Sequence, residues 1–344
     1  MPYNPSMKSK QQIYLKKINS VLFVRLGKLG DMMVSSMLIN RVRRAYPNLK
    51  IGLITLPRSR ELFKYNKDIN ILKTWLPVTL PLLALTERIR GWDLLADLND
   101  EPSRRSLLAL RLIRPKQSMA FKNSKSTGVF DITVPTLEKE KSHVLDRLGV
   151  YLQALGINKN KNEMKPFVSL AHGSLDNVKM AQDKITKKKG AIVALNISAG
   201  HESRYWGLEK WETLAKSLLR VSPKVYLRVL YAPADEKLAA VLREKLPAER
   251  LMPPGGGSLN GFLTDIAAAD MLVSPDTSAV HAACAFGVPV LGLYPEPYWN
   301  FVSWKPLGKK NYAIRSTKDG VASIAADEAV KAAVNMAKKI INRL

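Results

Sequence analysis

The sequence predicts an α/β protein of two domains, each built on a mostly parallel sheet. Three observations carry this expectation. Short apolar runs alternate with helix-length segments along most of the chain. The alternation restarts after a Lys- and Asn-rich stretch at 157–189. In each half, an apolar run ends in a loop of small residues that opens a helix. At 344 residues the chain is about twice a common domain in length. Its 46% hydrophobic and 24% charged residues suit a folded core rather than a disordered chain.

The run VLFVR at 21–25 suits a buried parallel strand. The loop Leu26-Gly27-Lys28-Leu29-Gly30 follows, and Asp31 opens a helix that reaches Tyr46 and stops at Pro47. A strand at 50–55 completes a βαβ unit. Further pieces are strand-like at 92–98, helical at 104–113 and strand-like at 118–121. A helix at 143–155 ends at Gly156. In the second half, strands are expected at 191–197, 225–231, 271–274 and 288–294. Helices are expected at 208–219, 234–245, 259–268, 278–286 and 325–342. The domains are placed at 1–175 and 176–324, with the terminal helix expected to pack back on the first.

Composition excludes several classes. One cysteine, Cys284, leaves no disulfide framework and no multi-cysteine metal finger. It sits in an apolar helix and reads as a small core residue. The polar, basic N-terminus lacks the apolar core of a signal peptide. The apolar run WLPVTLPLLALT at 75–86 is too short to span a bilayer and holds two prolines. Residues 277–295 carry no charge but are broken by Gly287, Pro289, Gly292 and Pro295. A cytoplasmic protein is expected. The formal charge of +25 is uneven: 30 Lys and Arg face 13 Asp and Glu in residues 1–172, whereas 251–300 contain no Lys or Arg. The basic first half suits an anionic leaflet, nucleic acid or a phosphorylated substrate.

Three segments can carry chemistry. The first is the glycine loop before Asp31. A carboxylate there either caps the helix or acts as a general base held at the strand end. The loop matches neither the dinucleotide fingerprint nor a Walker loop. The second is Ser274-Pro275-Asp276-Thr277-Ser278-Ala279-Val280-His281, between a buried strand and a small-residue helix. Asp276 or Thr277 can cap that helix, and the N–H groups of 277–280 can cradle a diphosphate without any lysine. His281 falls about one turn in, as a core histidine or a ligand. The third is the loop at 198–206, where Arg204 precedes Trp206, either solvated or reaching a phosphate. No Asp-x-Asp triplet of the metal-dependent transferases occurs.

Together these segments resemble glycosyltransferase family 9, the ADP-heptose:lipopolysaccharide heptosyltransferases. The matching pieces lie at 21–55, 93–121, 191–218 and 258–294, in the family's order, with SLNGFLTDIAAADMLVSPDTSAVHAACAFGVPVLGLY the most specific. The resemblance implies a GT-B fold of two Rossmann-like domains facing a central cleft. It implies inverting transfer of heptose from ADP-heptose to the lipopolysaccharide inner core, with no metal or other cofactor. Asp31 matches the proposed catalytic base. Arg204, Asp276, Thr277, Ser278 and His281 match donor contacts, and Asp235 and Glu236 lie near an acidic ribose contact. Lys28, Arg104 and Arg105 are candidates for the anionic glycolipid acceptor, met on the cytoplasmic face of the inner membrane. No nucleic-acid partner is expected. Ser278 stands where the family usually has glycine, and the stretch at 295–299 also departs. Both motivate a second reading, a family member with another nucleotide sugar or polysaccharide acceptor. A non-catalytic nucleic-acid-binding protein, suggested by charge alone, is the remote alternative.

Overall fold

The computed structural model describes residues 18–186, 190–253, 257–308 and 310–343. The basic segment at 1–17, read above as lacking a signal sequence, lies outside them. The first unit contains β1 (Ser20–Val24), α1 (Leu29–Ala45), β2 (Lys50–Thr55), α2 (Pro57–Arg60), β3 (Ile71–Thr74), α3 (Leu80–Arg90), β4 (Leu94–Asp97), α4 (Arg104–Ile113), β5 (Gln117–Phe121), β6 (Ile132–Val134) and α5 (Val144–Ala154). The second contains α6 (Ser174–Thr186), β7 (Ala191–Asn196), α7 (Leu208–Val221), β8 (Val225–Leu230), α8 (Glu236–Glu244), α9 (Leu259–Ala267), β9 (Met271–Pro275), α10 (Ser278–Phe286), β10 (Val290–Tyr294), α11 (Tyr298–Trp304), β11 (Tyr312–Arg315) and α12 (Ala326–Ile341).

The first sheet runs β3-β2-β1-β4-β5-β6 with every pairing parallel. The central strands are buried on both faces, so VLFV and LLA read as continuous apolar runs. Strand order reverses between β1 and β4, and the loops leaving those strands meet the crevice where such sheets hold ligands. The second sheet runs β11-β10-β9-β7-β8, also parallel, and reverses between β7 and β9. The two loops singled out in this half therefore leave the two strands that flank its reversal.

The units divide at Met164 and Lys165, with Lys139–His143 joining the second. That differs from the expected boundary at 175, because residues 165–173 carry no regular element of their own and lead into α6. The terminal helix differs too. α12 packs on α7, and Ala329, Ala333 and Ala337 belong to the second unit's core with Trp206, Trp211 and Leu214. Its apolar stripe is used there, and the helix belongs to the second unit.

Several elements escaped the periodicity, the four-residue α2 among them. β3, β6 and β11 are three- or four-residue edge strands, too short to show alternation. In α3, Pro81 sits in the first turn, where its missing N–H is no loss. α11 lies in the unusual stretch after Tyr294.

Candidate active site

In the first unit, the site is built where β1 ends. Arg25 is buried, and its guanidinium donates to the Leu98 carbonyl beyond β4 and to Asp31 Oδ1 at 3.1 Å. The second Asp31 oxygen accepts the Lys28 N–H at 2.9 Å, closing the first turn of α1. Asp31 is thus both a cap and one half of an ion pair, and its side chain stays about a quarter open to solvent. Gly27 is required by close approach: a Cβ there would lie 2.7 Å from Asp31 Cβ. Asn99 accepts the Leu26 N–H at 3.1 Å and donates to Asp97, which ties the two loops across the strand-order reversal. Burial pushes the Asp97 carboxyl above its ordinary range, against hydrogen bonds from Asn99.

Lys28, Arg104 and Arg105 are exposed at the same sheet edge, the arginines as the first two residues of α4 behind its Ser103 cap. Cations at a helix start oppose the local dipole.

In the second unit, β9 ends in buried Asp276, whose N–H bonds the Leu293 carbonyl. Its carboxylate receives Arg204 at 3.0 Å and the Asn300 amide at 2.8 Å. Burial still raises its pKa, with Arg204 and Asn300 pulling the other way. Thr277 caps α10 by accepting the Ala279 N–H at 3.3 Å. Its hydroxyl is held in turn by Asn196 at 3.1 Å and Ser274 at 3.1 Å. The cradle expected over 277–280 is narrower than the sequence implied. Ala279 and Val280 spend their N–H groups on Thr277, so those of Thr277 and Ser278 are the ones left without a partner among the described residues. Ser278 has an ordinary negative φ as the first residue of α10, so nothing in the backbone requires glycine.

The loop carrying Arg204 is anchored by Trp206. That indole is buried edge-on to Trp211 at 4.9 Å and donates to the Ile324 carbonyl at 3.0 Å. Gly207, at φ 103°, then turns the chain into α7. His281 is buried against Trp304, with ring centres 5.5 Å apart. Burial, with His143 and Arg204 nearby, pulls its pKa down to about 3, so it is neutral. Of the two candidate acids, Asp235 bonds Ser198 at 2.5 Å at the end of β7, while Glu236 is exposed on α8. Cys284, expected as a core residue, is half-buried on α10, and burial pushes its thiol up to about 11.

Arg25, Asn99, Asn196 and Asn300 were not singled out by sequence. Arg25 and Asn196 share one legible signal, a polar side chain closing a wholly apolar strand. Asn300 has none, since it reaches Asp276 from another element.

The model of glycosyltransferase family 9 (heptosyltransferase) matches residues 83–331, well over half of the chain. The match begins after the β1–α1 loop, so Asp31 stands outside it. The chain is 22% identical to the lipopolysaccharide core heptosyltransferase OpsX of Haemophilus influenzae over 297 residues, 82% of this chain and 80% of that one. A glycosyl transferase family 9 structure from Veillonella parvula superposes with a TM-score of 0.79 at 15% identity, covering 93% of this chain and 98% of that one. The E. coli ADP-heptose lps heptosyltransferase II superposes with a TM-score of 0.74 at 17% identity, over 93% and 99%. The likeness of fold agrees with two Rossmann-like, parallel-sheet units, and the chain belongs to glycosyltransferase family 9, the heptosyltransferase family.

Proposed function

We propose that the protein moves heptose from ADP-heptose to the inner core of lipopolysaccharide with inversion at the anomeric carbon. The observation that carries this is the α10 start, where Arg204 is held on Asp276, the residue before Thr277 and Ser278 with their unpartnered N–H groups. Only one guanidinium nitrogen is committed, which leaves donors for a diphosphate. Family membership and the names of the relatives supply the donor and acceptor classes.

The second unit binds the donor, and Asp235 is the carboxylate at hand for a ribose hydroxyl. The first unit supplies the base. Asp31 takes the proton of the acceptor hydroxyl, the hydroxyl oxygen bonds to the anomeric carbon, and the bond to the β-phosphate breaks. The electron pair leaves on ADP, where Arg204 and the two N–H groups meet the developing charge. A single displacement of this kind inverts the centre and runs without a metal. The arginines opening α4 suit an anionic glycolipid acceptor at the inner leaflet.

The test is Asp31→Asn. Turnover falls by about 100-fold or more, the ordinary worth of a general base, while stabilisation by ADP-heptose persists. Full turnover in that variant removes Asp31 from the chemistry. The alternative reading, another nucleotide sugar, is motivated by Ser278. It predicts that a UDP-, GDP- or CMP-sugar stabilises the protein more than ADP-heptose does.

A further inference from the structure

The apolar run at 75–86 is too short to cross a bilayer, and the fold does not hide it. Among the described residues, no helix is long and apolar enough to span a membrane. Yet Val78, Leu82, Leu85 and Ile89 recur at spacings of four, three and four, a single stripe along α3 and its approach. The other side of the helix is the buried one, through Leu83, Ala84 and Glu87. The stripe is open to solvent, 93% at Val78, 66% at Leu82 and 76% at Ile89. α4 packs beside α3 and exposes Leu108 and Leu112, one turn apart. Single exposed leucines are ordinary, but five apolar side chains on two adjoining helices, with Val78 just before α3, form a patch that calls for a partner.

The exposed charges on α3 and α4 themselves have one sign. Arg88 on α3, Arg104, Arg105 and Arg111 on α4, and Arg114 just beyond are all exposed. The one acid of α3, Glu87, is buried and paired with Arg90, and α4 contains no acid.

We propose that this α3–α4 face seats the protein on an anionic lipid leaflet. The apolar stripe enters the acyl boundary and the arginines pair with headgroup phosphates. Charge selects this occupant over the others. A second copy meeting the same face would bring the two arginine sets together. A neutral apolar protein surface would leave them without counter-charges. The inference deepens the functional reading and rests on it only for why the enzyme visits a membrane, since its acceptor is a glycolipid.

The test is flotation of the full chain with vesicles of phosphatidylglycerol in phosphatidylcholine, set against phosphatidylcholine alone. The anionic vesicles are expected to bind at least about tenfold more protein, and salt to weaken that binding. Leu82→Gln, Leu85→Gln and Ile89→Gln together lower it about tenfold or more. Val78→Gln, outside the helix and free of any folding role, lowers it in the same direction. All these variants keep the parent's transfer to a soluble, de-acylated acceptor. Equal binding to both vesicle types overturns the proposal, as does unchanged flotation of the variants. A change of oligomeric state with flotation intact also overturns it. Flotation as expected in a parent protein that transfers no sugar supports the surface and overturns the functional reading alone.

Discussion

Asp31 and Arg204 solve opposite problems. Arg25 is taken out of water at the end of β1, and a buried guanidinium needs an anion, so it holds Asp31 in one rotamer. Asp276 is the buried member of the second pair, and Arg204 is the half-open one. In each pair the exposed partner is the one that the proposed mechanism sets against substrate. Replacing Arg204 with Ala removes a charge-assisted donor worth roughly 1.5–3 kcal/mol and strands Asp276, so donor affinity drops by about tenfold or more. Arg204→Lys recovers part of it, since a lysine cannot keep Asp276 and a phosphate in one planar fork. Calorimetric titration with ADP reads both.

Two loop-to-helix junctions set the geometry at the scale of elements. At β1–α1, the chain passes so close to Asp31 that a methyl group at position 27 displaces the carboxylate. Gly27→Ala costs about 1–3 kcal/mol of stability by overpacking and lowers turnover more than it lowers donor binding. Chemical denaturation and steady-state kinetics separate the two effects. At β9–α10, Thr277 is the cap, and Thr277→Ala costs about 1 kcal/mol and loosens Asn196 and Ser274 together. A Thr277→Ser variant keeps the hydroxyl and most of that stability. Both junctions were legible as loops between an apolar strand and a helix. The residues that brace them from other elements were not.

For the whole molecule, acid stability follows from what is buried. His281 has a folded pKa near 3 against an ordinary 6.5, so the unfolded chain takes up a proton that the folded one refuses. Its contribution is complete above pH 6.5 and is lost as pH falls toward 3. Burial raises the carboxyls of Asp97, Asp270 and Asp276, which works the other way at lower pH, because the folded form binds their protons first. Between pH 6 and 5 the histidine takes up its proton only in the unfolded chain. Unfolding free energy falls by up to about 1.4 kcal/mol per pH unit, and His281→Gln flattens that slope. Urea denaturation at the two pH values measures it.

The sequence alone determined the strand and helix alternation, the two-unit organisation and the loops that matter, because a parallel sheet buried on both faces demands continuous apolar strands. It also singled out Asp31, Arg204, Asp276 and Thr277, which stand in or beside those loops. Tertiary structure decided the rest. Whether a polar side chain braces the site depends on pairing across strands, as for Asn99 with Leu26 or Asn300 with Asp276. How many N–H groups remain free at α10 depends on which ones the cap consumes. The destination of α12 depends on where the complementary apolar surface lies, and α7 provides it. The apolar run at 75–86 is legible in the sequence only as too short to span a bilayer. Only its helical phase against a buried Glu87 and Leu83 turned half of it outward. Local periodicity records what a segment can bury, while the packing of its neighbours settles what it does bury.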